Sequence, residues 1–203
     1  MLEICAAAPD VLLPFASVDP NSDDEPADLL RRYLDAGARG LKLYPSYQYY
    51  YLNDPGAYAL YDVCRQAGVP VLIHIGTSVL PGTRIEFCDP VHLKDVAAHF
   101  PELVVVMAHG GRGPWYEQCQ ALAMHQPNFY IDVAGLPPRR LREYFPRLDD
   151  ISHKTVFGSD WPAMPRAHPA DNARVIAEEL GLAPDAARAI LADTASRLLG
   201  LDA

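Results

Sequence analysis

The chain has 203 residues, half of them hydrophobic, enough to bury the core of one domain and too few for two large ones. Its formal charge of -9 includes no run of Lys or Arg, so there is no basic excess to displace counterions and a nucleic-acid partner is excluded. The longest apolar runs, residues 69–75 and 103–108, are strand-length and far below the roughly 20 residues that span a bilayer, so no membrane partner is expected.

In chain order, a short helical stretch from Leu2 to Ala8 is stopped by Pro9. The first strand is read at Val11 to Val18 and leads to a helix from Pro26 to Ala36. Strand Gly40 to Tyr44 precedes helix Ala57 to Ala67, and strand Val69 to Gly76 precedes helix Pro90 to His99. Leu103 to Gly110 is followed by helix Pro114 to His125, and Asn128 to Ala134 by helix Pro138 to Phe145. A sixth strand, Lys154 to Asp160, leads to helices Pro169 to Leu180 and, past Gly181, Pro184 to Leu199. Several of these helices open on Pro in the first turn, where its missing N–H costs nothing.

Strands that alternate with helices and are apolar on both faces indicate a parallel sheet covered by helices, an α/β fold. The repeat averages about 28 residues, near the ~30 of one βα unit, and no Gly-x-Gly-x-x-Gly turn is present. A (β/α)8 TIM barrel is therefore expected over a doubly wound sheet, as one domain over 1–203. Only six strands are visible where such a barrel has eight, so the first two are expected to be lacking. The exposed sheet edge this leaves would need covering, which predicts a homo-oligomer or a partner chain.

Cys5, Cys64, Cys88 and Cys119 are scattered without a CxxC spacing, which suggests neither a zinc ribbon nor a disulfide framework. The N-terminus carries Glu3 and no positive segment, so it does not read as a signal peptide. A reducing, cytoplasmic setting is expected.

In a parallel barrel the active site lies at the C-terminal ends of the strands. Three strands end in polar groups there: His74 in Val-Leu-Ile-His-Ile-Gly, His109 in Met-Ala-His-Gly-Gly and Asp160 in Gly-Ser-Asp-Trp-Pro. Any one of them alone is ordinarily structural. Three together are costly to bury unless a metal or a substrate engages them. Imidazole and carboxylate are ligands that zinc favours, and a catalytic zinc takes about three protein ligands and a water. A divalent metal, zinc first, is the expected cofactor and a small molecule the expected substrate.

The segments Phe15-Ala-Ser-Val-Asp-Pro20, Gly40-Leu-Lys-Leu-Tyr-Pro45, Val71-Leu-Ile-His-Ile-Gly76, Ala108-His-Gly-Gly111, Tyr130-Ile-Asp132 and Phe157-Gly-Ser-Asp-Trp-Pro162 resemble, in that order, the amidohydrolase-related branch of the metal-dependent hydrolases. That branch includes aminocarboxymuconate semialdehyde decarboxylases. The closing run Ala189 to Leu199 resembles its terminal helix. The resemblance implies that the six strands match the third to eighth of the family's barrel. It implies His74 as a metal ligand, His109 as the histidine that handles protons or contacts metal-bound water, and Asp160 as a ligand that helps to activate water. The family's first-strand His-x-His pair has no counterpart in this sequence. Either His109 or another chain completes the metal site, or the metal is weak or absent.

On this reading the activity is metal-dependent hydrolysis of an amide, lactone or related carbonyl compound. Non-oxidative decarboxylation of a small carboxylic acid is the second reading, and a catalytically impaired barrel acting as a subunit is the third. Lys42 is a candidate metal bridge, Schiff-base nucleophile or substrate-carboxylate partner, or else one half of an ion pair. Arg112, in a glycine-rich turn before a helix, could hold a substrate carboxylate or be solvated. Tyr44, with Tyr47, Tyr49, Tyr50 and Tyr51, forms either an aromatic lid or a packed loop. Trp161 is read as lining the site and orienting Asp160, whereas Asp132, also at a strand end, is read as structural.

Overall fold

A computed structural model describes residues 2–163 and 168–201. Six strands form one sheet in chain order: β1 (Ala16–Ser17), β2 (Leu41–Leu43), β3 (Val71–Gly76), β4 (Val105–Arg112), β5 (Phe129–Asp132) and β6 (Thr155–Val156). The pairs β1–β2, β2–β3 and β5–β6 are parallel, as strands apolar on both faces predict. The helices are α1 (Leu2–Ala6), α2 (Pro26–Asp35), α3 (Pro45–Gln48), α4 (Pro55–Ala67), α5 (Leu93–His99), α6 (Tyr116–His125), α7 (Leu141–Tyr144), α8 (Pro169–Glu178), α9 (Pro184–Arg188) and α10 (Thr194–Leu199). Among the described residues no helix is long and apolar enough to cross a membrane.

The chain divides into two compact units, residues 1–74 with 78–105 and residues 75–77 with 106–203. In the first, α4 shows how local sequence builds the core. Ala57, Leu60, Tyr61 and Cys64 recur at the helical interval and are fully buried. Pro55 starts the helix, and Gly68 ends it at φ 66°, donating its N–H to the last turn. The Tyr61 hydroxyl donates to Leu52 C=O (3.0 Å), so its one polar atom is satisfied inside the core.

The first strand is shorter than the sequence suggests. The Val11 and Leu12 N–H groups both turn back to Ala8 C=O (3.1 and 2.9 Å), and Val11 is 80% exposed. Pairing toward β2 starts at Pro14, which has no N–H to give: its C=O accepts from Arg39 N–H (2.8 Å), and Ala16 N–H then meets Gly40 C=O (2.9 Å).

In the second unit the expected strand Lys154 to Asp160 stops at Val156. Val156 C=O accepts from Val133 N–H (3.0 Å), but the next donor, Phe157 N–H, is taken by Ile190 C=O (2.8 Å). Ile190 can accept because the expected helix Pro184 to Leu199 widens to a π turn over Ala189–Asp193, between α9 and α10. The local excess of helix residues thus serves a tertiary bond that fixes where the chain leaves β6.

All four cysteines are thiols and all are buried. Burial pushes the Cys64 thiol from its ordinary 9.0 up to about 12. A raised thiol pKa contributes stability that is fully present below about pH 9 and is lost as pH rises toward 12, since only the unfolded chain ionises in that window. Iodoacetamide at pH 8, read by peptide mass, should leave Cys64 unmodified in the native protein and alkylate it in urea; labelling of the native thiol at the rate of an exposed cysteine would contradict this burial.

Candidate functional site

The first unit gathers Lys42, Tyr44 and His74. In β2 the alternation places Leu41 and Leu43 in the core and Lys42 on the other face, half-buried. The Lys42 ammonium donates to Leu43 C=O (2.9 Å) and lies 5.1 Å from the centre of the Tyr44 ring. The Tyr44 ring also contacts the buried His74 imidazole, centroids 4.2 Å apart. The Tyr44 hydroxyl is hydrogen-bonded to Ser78 Oγ. Ser78 carries no motif, and its part in fixing Tyr44 was invisible to sequence reasoning.

Of the remaining tyrosines, Tyr47, Tyr49 and Tyr51 are exposed, and the Tyr47 ring lies 6.1 Å from that of Tyr44. Tyr50 belongs to the core at 2% exposure, where burial holds its phenol well above the usual range. Tyr49 donates its hydroxyl to Gly82 C=O (2.7 Å), and Tyr51 packs on Phe87 with centroids 4.8 Å apart. Only Tyr50 of this group is in the core, and α3 occupies the start of the segment.

The second unit gathers His109, Arg112 and Asp160 around one turn. His109 and Asp160 both adopt the left-handed backbone region, at φ 63° and 58°. Such conformations cost about 1–3 kcal/mol each in a non-glycine residue and persist where the surroundings over-determine them, often at functional sites. β4 runs on through Gly110 and Gly111 to Arg112, so Arg112 ends a strand and does not sit in a free glycine-rich turn.

The turn is Val133–Leu136, closed by Leu136 N–H on Val133 C=O (3.2 Å). Its third residue, Gly135, has φ 68°, the sign that a type II turn requires at that position. Its second residue, Ala134, is held at both ends. Its N–H donates to Asp132 Oδ1 (2.9 Å) and its C=O accepts from His109 Nδ1 (2.8 Å). A carbonyl can only accept, so Nδ1 carries the proton, and in the neutral ring Nε2 is left with a lone pair.

Gly135 also makes room. A Cβ there would stand 2.9 Å from Asp160 Oδ2 and 3.1 Å from Arg112 Nη1, which places those two atoms within about 6 Å of each other. The guanidinium is clasped from behind: Nε and Nη2 both donate to Thr77 C=O (3.0 and 2.7 Å), while Thr77 N–H donates to Arg112 C=O (2.8 Å). Arg112 forms no ion pair among the described residues. A rigidly held cation beside a carboxylate, with no bond between them, is suited to a substrate anion. Trp161 is 67% exposed, and its backbone N–H rests on Ser159 Oγ (3.2 Å). Gly135, Thr77 and Asp132 are thus the residues that sequence reasoning passed over or set aside.

The expected zinc was tested against these donors. Among the described residues no group of three or more His, Cys, Asp or Glu side chains gathers as a metal site would. His74 and Asp160 are two ligands, short of the three of a catalytic zinc. The described residues do not make up that centre.

Comparison with solved structures places the chain among TIM barrels. An uncharacterised TIM-barrel protein from Bordetella bronchiseptica is 27% identical with a TM-score of 0.83, over 98% of this chain and 70% of its own. The 2,6-dihydroxybenzoate decarboxylase from Rhizobium is 19% identical (TM-score 0.76), covering all of this chain and 75% of its own. A 5-carboxyvanillate decarboxylase from Novosphingobium aromaticivorans, complexed with manganese, is 13% identical (TM-score 0.74), covering 98% of this chain and 67% of its own. No curated protein matches. The family model described as Amidohydrolase matches residues 1–201, and the chain belongs to that family.

Proposed function

We propose that this chain catalyses the non-oxidative decarboxylation of a small aromatic carboxylic acid bearing a ring hydroxyl, with Arg112, His109 and Asp160 as its working residues. The observation that carries the reading is the single turn Val133–Leu136. Its second residue holds His109 in one tautomer and its third borders both Arg112 and Asp160. The similarity to the Rhizobium and Novosphingobium decarboxylases supports the same reaction class.

In this scheme Arg112 Nη1 binds the substrate's anionic group, while Nε and Nη2 each give one N–H to Thr77 C=O. His109 in its charged form keeps Nδ1–H on Ala134 C=O and gives the Nε2 proton to the ring carbon that bears the carboxylate. The bond from ring to carboxylate then breaks, its electron pair returns to the ring and carbon dioxide leaves. His109 is left neutral and takes its next proton from solvent. Asp160 sets a second negative charge near the substrate carboxylate, and that repulsion is relieved as the carboxylate becomes neutral carbon dioxide.

The test is product analysis of hydroxybenzoates labelled with ¹³C in the carboxyl group, with and without added manganese. Release of label as carbon dioxide and bicarbonate, with the unlabelled phenol as co-product, is expected. Amide or lactone cleavage by water without carbon dioxide would return the hydrolytic reading, and inertness toward both substrate classes would leave a barrel that acts as a subunit.

A further inference from the structure

We infer that Asp132 is a positioning residue that holds His109 in the Nδ1–H tautomer by way of Ala134. The inference deepens the role given to His109 above and rests on it for its catalytic consequence, but the tautomer itself can be read without any turnover.

Three observations carry it. Asp132, Ala134 and His109 are 6%, 7% and 6% exposed, so bulk water does not stand in for a lost hydrogen bond among them. Asp132 Oδ1 accepts the N–H two residues on (2.9 Å), an Asx turn that fixes how the chain leaves β5. With φ 68° at Gly135, that start aims the Ala134 carbonyl at His109 Nδ1. The third is Gly158, where a Cβ would stand 2.5 Å from Asp132 Oδ1 and 2.8 Å from the Ala134 Cβ. The chain leaving β6 is therefore laid directly on the carboxylate and on the residue it holds, confining Oδ1 to the place from which it can reach Ala134 N–H.

Without that acceptor the Ala134 N–H is buried and unsatisfied. The turn relaxes toward another partner and its carbonyl leaves Nδ1. The imidazole then loses its Nδ1–H bond to Ala134 C=O, and the Nε2–H form becomes populated. The chain needs an acceptor oxygen at position 132 for this purpose, and a neutral amide supplies one as well as a carboxylate does.

Ring ¹⁵N–¹H spectra of the full chain labelled with [¹⁵N]histidine read the tautomer, the His109 signals being those absent from His109→Asn. Wild type should show a protonated Nδ1 and an unprotonated Nε2. Asp132→Asn should keep that pattern, because its amide oxygen still accepts from Ala134. Asp132→Ala should show a mixture with Nε2–H, with kcat lower by about ten- to a hundredfold, the usual cost of losing a group that orients a functional imidazole, and KM changed less than twofold. An unchanged Nδ1–H pattern in Asp132→Ala, or loss of it in Asp132→Asn, would overturn the inference. If the tautomer shifts and kcat does not, the positioning role stands and the catalytic reading of His109 fails. Should Asp132→Ala not fold, Gly158→Ala displaces Oδ1 by contact, and a wild-type pattern there would equally overturn the inference.

Discussion

Replacing His109 with asparagine is expected to lower kcat by roughly 10²–10⁴-fold, the range typical of a lost general acid or base. Asparagine is chosen because position 109 lies at φ 63°, a region that Asn tolerates better than most residues. Its backbone cost should therefore be small, and circular dichroism and the thermal midpoint should stay close to wild type. Alanine would mix the loss of the imidazole with the strain of a left-handed backbone. A His109→Asn protein that turns over within threefold of wild type would remove His109 from the chemistry, whatever its tautomer.

The second large effect belongs to a glycine. Gly135→Ala should cost about 1–2 kcal/mol of stability through its left-handed φ of 68°. Its methyl would also press on Asp160 Oδ2 and Arg112 Nη1, at 2.9 and 3.1 Å. Displacing those groups by a fraction of an ångström to an ångström is expected to lower kcat/KM by about a hundredfold. The two effects are separable, because Gly181 sits at φ 62° with nothing within 4 Å of its would-be Cβ. Gly181→Ala should match the stability loss in urea and leave kcat/KM at wild type. Equal activity losses in the two variants would mean that Gly135 matters only as a turn residue.

Sequence reasoning reached the sheet because its signals are local: runs such as Val-Leu-Ile and Val-Val-Val-Met are apolar on both faces, and the strands they predict are present. It overextended β1 and β6, where the deciding hydrogen bonds go to Ala8 and Ile190, partners that no period in the pattern announces. His109 and Asp160 were legible as polar groups at strand ends. Their left-handed backbone was not, since only the folded environment imposes it. Arg112 was legible as a cation, but its fixed orientation depends on Thr77, 35 residues away. Asp132 was set aside as structural because its effect on His109 passes through a backbone carbonyl, which has no sequence signature.

In the proposed reaction His109 delivers a proton to carbon as carbon dioxide departs. It is tested most directly by supplying carboxyl-labelled 2,6-dihydroxybenzoate in D2O and following carbon dioxide and ring deuterium together by NMR. One deuterium at the former carboxyl position is expected for each carbon dioxide released, both falling in step in His109→Asn. Carbon dioxide released at the wild-type rate by His109→Asn, or cleavage of the substrate with no carbon dioxide at all, would contradict it.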